Sequence, residues 1–190
     1  EKVIITKWFR QASPNLQDKI ELNKHVKTYT KKGFKKTKLE EKLHLAISKY
    51  YFENEKNLET EYVAGNFIDS DKNIVPSLLL ELPIELKQRI HDNLQKPLEK
   101  WCGVDLTPTY VYGIREYREG SILNSHRDRK DTHIISAIIN VHQEVSEEWP
   151  LEIEDHFYRK HEVFLEPGEV IFYESARLLH GRPKKLKGKR

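Results

Sequence analysis

Cysteine is almost absent: Cys102 is the single one in 190 residues. An internal disulfide framework is therefore excluded, and the composition fits a reducing, cytoplasmic compartment. Long apolar runs are absent too. No stretch approaches the roughly 18 residues that a membrane span needs, so no membrane partner is expected. Charge of one sign is not in excess, since 33 Lys+Arg face 30 Asp+Glu for a net +3. Nothing in that balance demands nucleic acid or an anionic surface. Neither an internal repeat nor a low-complexity linker is found.

What is present is a charge-rich chain of mean hydropathy −0.73 with 7 Phe, 9 Tyr and 3 Trp, too aromatic for a disordered segment and of a size for one domain. Helical spacing occurs in NLQDKIELNKHV and in KTKLEEKLHLAISKYYFENE, where Leu39, Leu43, Ala46, Ile47 and Tyr50 share a face. LPIELKQRIHDNLQKPLEKWCG reads as a third helix, with Pro83 in its first turn, a stripe from Leu86 to Trp101, a kink at Pro97 and a stop at Gly103. Eight lysines between Lys24 and Lys42 form a basic segment, read as a solvated face or as a contact for an acidic surface or nucleic acid. From Pro108 onward the period falls to two. TYVYGIREY, HIISAIINV, LEIEDHFYR, HEVFLEPGEVIFYES and RLLHGR read as short strands, and EPGE as a turn between neighbours. Helices first and strands later predict an α+β chain: a mainly helical support region, 1–104, packed on an antiparallel jelly roll, 105–190.

The stretch NSHRDRKDTH, directly before the most apolar run, is what a plain core strand does not need. His126 and Asp128 are one residue apart, so on an extended segment their side chains point to one side. His180 lies downstream in RLLHGR, within reach of a chain that folds back in short strands. Two imidazoles and a carboxylate make the facial triad that suits non-haem Fe(II). The competing reading is a surface His–Asp pair.

Several offsets around this triad match together. Tyr117 precedes His126 by nine residues with Gly120 in the turn between; Ser136 lies in the following strand; LEPGEVIFYES leads to His180; Gly188 and Arg190 stand at +8 and +10 from it. With these, residues 105–190 resemble the 2-oxoglutarate and Fe(II)-dependent dioxygenases, prolyl 4-hydroxylase-like branch. The resemblance implies a double-stranded β-helix whose last strand would follow residue 190. It also implies His126, Asp128 and His180 as iron ligands and as the catalytic set. Tyr117, Ser136 and Arg190 would hold 2-oxoglutarate, with Arg182 as the second anion-binder. Dioxygen would be consumed, ascorbate would serve as reductant, and a peptidyl proline would be hydroxylated with release of succinate and CO2. Because Asp128 fills the third protein position, hydroxylation rather than halogenation is implied. An oxidative demethylase of alkylated nucleic acid is the weaker alternative, since Leu186 stands where that reading wants a basic residue. A non-catalytic jelly-roll binding module is the other. His133 and His142 are expected as core or edge residues, His156 and His161 as surface, and Trp149 as buried or groove-lining. Arg129 is expected either near the mouth of the site or paired with Asp131.

Overall fold

The computed structural model describes residues 15–61 and 75–190. Helix α1 (Leu16–Asn23) begins at Asn15, whose side chain accepts from the Asp18 amide. Helix α2 (Glu41–Asn54) buries Leu43, Ile47 and Tyr51, four residues apart, and continues into a short 3₁₀ turn, Glu55–Asn57. Helix α3 (Ile84–Cys102) follows Pro83, buries Leu86, Ile90 and Leu94, and stops at Gly103 in the left-handed region, φ 73°. Pro97 removes one backbone donor, yet the helix runs past it to Cys102.

Among the described residues ten strands accompany these helices: β1 (Phe34–Lys38), β2 (Glu59–Thr60), β3 (Leu78–Leu80), β4 (Ile114–Glu116), β5 (Leu123–His126), β6 (Ser136–Ile139), β7 (Leu151–Glu154), β8 (Lys160–Val163), β9 (Glu169–Tyr173) and β10 (His180–Arg182). They form three antiparallel sheets in the orders β1-β9-β6, β5-β10-β7-β8 and β2-β3-β4.

Strand β9 shows how the layers join. Val170 and Phe172 on one face pack with Leu43, Ile47, Leu86 and Ile90 of the helices. Ile171 and Tyr173 on the other pack with Phe34, Leu151, Ile153 and Leu178. The period of two along one buried strand therefore serves two cores, and the sheets β1-β9-β6 and β5-β10-β7-β8 share an apolar interior. Each fully buried aliphatic side chain in it contributes about 1.5–3 kcal/mol.

The basic segment holds a strand the helical reading did not assign. Phe34 is buried while Lys35, Lys36 and Lys38 are exposed, and β1 takes the edge beside β9. Lysines on an edge strand satisfy the rule that such edges be charged against further pairing. The helix expected from residue 36 therefore starts only at Glu41, and strands β1 to β3 lie within the region expected to be mainly helical.

Candidate metal centre

Strands β5 and β10 run antiparallel with His180 directly opposite His126, their ring centroids 4.5 Å apart. The approach of the two backbones depends on Gly181, where a Cβ would stand 2.7 Å from the Leu123 carbonyl oxygen and 2.8 Å from Ser125 Cα. Asp128 lies just past the end of β5, held by its amide donating to the Ser175 carbonyl at 3.0 Å. Its Oδ1 stands 3.6 Å from His126 Nε2 and 3.9 Å from His180 Nε2. One ligand atom from each of the three residues lies within 4.8 Å of the others.

The protonation pattern suits a metal. His126 Nδ1 lies 2.7 Å from the Asn124 carbonyl and His180 Nδ1 lies 2.9 Å from the Leu178 carbonyl. A carbonyl only accepts, so each Nδ1 carries the proton and each Nε2 keeps its lone pair toward Asp128. Burial, reinforced by the neighbouring His126, pushes His180 down to about 4, which keeps this imidazole neutral as a ligand must be. Tyr173 packs edge-on against His180 at 4.8 Å, and its buried hydroxyl is driven well above the ordinary phenol range. The donor set therefore fits a divalent first-row ion.

The triad opens into a groove that also reaches Tyr117, Ser136, Arg182 and Arg190. Ser136 Oγ lies 2.7 Å from Ser175 Oγ, and Ser175 donates to the His133 carbonyl, so Ser136 is the donor of the pair. Tyr117 meets Trp149 edge to face at 5.0 Å. The Arg182 guanidinium lies 4.7 Å from the Trp149 ring centroid and donates to the Trp149 carbonyl. No carboxylate among the described residues pairs with Arg182, and burial lowers its pKa to about 10. Arg190 is placed differently. It donates to Glu144 and Glu55 at 2.8 Å each and to the Tyr51 hydroxyl at 2.9 Å, and these partners hold it protonated against the effect of burial. Arg115, engaged bidentately by Glu61, lies beside the Tyr117 hydroxyl.

Of the other histidines, His156 departs from its expected place. His156 is buried, its side chain 7% exposed, with Nε2 2.9 Å from Glu174, so it is not a surface residue. His161 reaches Asp155 at 3.0 Å at the base of the β7–β8 hairpin. His142 stands edge-on to Phe52. His133 is neither core nor ligand but one ring of an aromatic group with Tyr110 and Tyr112. Arg129 and Asp131 form no ion pair, although both border the groove.

Comparison with solved structures gives the fold a parallel. The chain is similar to the crystal structure of a Pseudomonas putida prolyl-4-hydroxylase, with a TM-score of 0.59 over 84% of this chain and 88% of that one, at 14% sequence identity. At the level of sequence, no family model and no curated protein matches the chain.

Proposed function

We propose that the protein is an Fe(II)- and 2-oxoglutarate-dependent dioxygenase that hydroxylates an unactivated C–H bond, with a peptidyl proline as substrate. One observation carries the reading: two imidazoles, their Nε2 lone pairs turned by backbone hydrogen bonds toward one carboxylate, on the wall of a groove. Such a set covers one face of an octahedral ion and leaves the opposite face for other ligands. Iron(II) held by His126, Asp128 and His180 would supply the oxygen activation that couples decarboxylation of 2-oxoglutarate, to succinate and CO2, with oxygen insertion into C–H.

The chain's own residues bind and orient. Arg182 offers a guanidinium with no carboxylate partner, which suits the distal carboxylate of 2-oxoglutarate. Tyr117 and Ser136 offer hydroxyls in the same groove. Arg190 is the second choice, because Glu144 and Glu55 already engage it. We read the two facing sheets as the halves of a double-stranded β-helix, and the proline is inferred from the likeness to the Pseudomonas putida enzyme.

The test is succinate formation from 2-oxoglutarate by iron-loaded protein with oxygen and ascorbate, wild type against His180→Ala. We expect slow turnover in the wild type that the variant loses. Failure of the wild-type protein to bind Fe(II) and 2-oxoglutarate by calorimetry overturns the reading.

A further inference from the structure

Tyr110 and Tyr112 are 63% and 58% exposed, yet they are not loose. The Tyr112 hydroxyl lies 2.7 Å from His133 Nε2, and the two ring planes are within 15°. The hydrogen bond thus ties together two near-parallel rings whose centroids are 5.7 Å apart. Tyr110 lies near-parallel to both, its centroid 5.6 Å from Tyr112 and 5.8 Å from His133. The other nitrogen of His133 is taken by Thr132 Oγ1 at 2.6 Å, so the imidazole is fixed at both ends. The result is a preorganised aromatic shelf in the groove that also contains Asp128. Nothing in the metal centre requires it.

The charge of the groove points to what the shelf meets. The chain as a whole is basic, at +3. The groove is not. Among the described residues that line it, five exposed acids, Glu59, Asp105, Asp131, Glu148 and Glu166, have no ion-pair partner, against three such arginines, the exposed Arg129 and the less exposed Arg127 and Arg182. No lysine lines it. A polyanion such as nucleic acid would enter against this surplus, because its binding rests on Lys and Arg meeting phosphates. A planar cation gains from both features. Guanidinium stacks on aromatic faces and pairs with carboxylates, whereas ammonium does the second without the planar stacking.

We propose that the groove receives a basic polypeptide segment and that the Tyr110–Tyr112–His133 shelf stacks an arginine side chain of that segment. This rests on the reading of the groove as the substrate channel of a peptide hydroxylase, and it names the feature of the peptide that is recognised away from the oxidised carbon.

The test is fluorescence anisotropy on the full chain without metal or 2-oxoglutarate. The probes are four fluorescein-labelled oligomers of equal length: glycine alternating with arginine, with lysine or with glutamate, and oligothymidylate. The arginine peptide binds roughly tenfold more tightly than the lysine peptide, as a stacked guanidinium should. The glutamate peptide and the oligonucleotide do not compete. Tyr110→Ala with Tyr112→Ala abolishes the preference for arginine over lysine, Tyr110→Phe, which keeps both rings and the Tyr112–His133 hydrogen bond, retains it, and Asp131→Asn weakens both basic peptides. Equal affinities for arginine and lysine, or a preference that survives loss of both rings, overturns the proposal, as does tighter binding of oligothymidylate. The two readings fail separately. Arginine-selective binding without succinate formation sinks the dioxygenase alone, and succinate formation without arginine selectivity sinks the shelf alone.

Discussion

At the scale of single residues, two arginines distinguish a binding role from a structural one. Arg182 is a desolvated cation with a carbonyl, an indole face and no acid, whereas Arg190 holds Glu144 and Glu55 together. Arg182→Met should leave stability in urea unchanged or slightly higher, because an unpaired, partly desolvated charge is removed. It should weaken 2-oxoglutarate binding by at least about tenfold in calorimetry, the order of one charge-assisted hydrogen bond. Arg190→Met should do the reverse, costing about 1–3 kcal/mol of stability by stranding its acids while leaving cosubstrate affinity nearly intact. If the two variants exchange these outcomes, the anion site belongs to Arg190. The candidate metal-binding cluster was legible in the sequence because two of its members sit one residue apart and the third in a short apolar segment. The aromatic shelf was not. Its members come from residues 110–112 and 133, joined where Thr109 donates to the Thr132 carbonyl, and no spacing in the chain announces that meeting.

At the scale of elements, the pairing of β5 with β10 makes the site, and Gly181 permits the pairing. Gly181→Ala would force a methyl against the Leu123 carbonyl at 2.7 Å, so the strands must part and His126 must separate from His180. The expected result is a loss of about 1–3 kcal/mol in thermal or urea unfolding, with Fe(II) affinity falling by at least roughly tenfold. Unchanged metal affinity would show that the two histidines are not brought together through this register. Strands with strong period-two patterns, such as β7 and β9, were readable beforehand. Strands β1 and β5 were not, because FKKTK and LNSH carry too little apolar character to stand out. Their places are set by what they pair with, Tyr173 opposite Phe34 and His180 opposite His126.

At the scale of the molecule, the sheets are bound to the N-terminal loop by a buried acid. Glu174 is 1% exposed and accepts from the Tyr29 and Thr30 amides, from Thr30 Oγ1 and from His156. Burial alone would raise its pKa, but the bonds from His156, Thr30 and Tyr29 outweigh that, and the net shift is downward. A carboxyl depressed in the folded state gives stability that is present above the unfolded value of about 4.3 and is lost as pH falls through the lower folded value. Glu174→Gln should therefore cost about 3 kcal/mol at pH 7. It should also show a shallower loss below about pH 4 than wild type in urea titrations. An equal acid slope in both would assign the acid sensitivity elsewhere, Asp155 being the next candidate because its pKa is also lowered.

Strand β1 lies against β9, with Phe34 facing Tyr173 from far along the sequence, and β10, which carries His180, comes later still. A polypeptide emerging from the ribosome therefore exposes an unpartnered lysine-edged strand, and presents a His–Asp half-site, long before the closing segments exist. Contacts of such long sequence separation form slowly. The pairing that sets His180 opposite His126 therefore has to await synthesis of β10, more than fifty residues after the His–Asp pair.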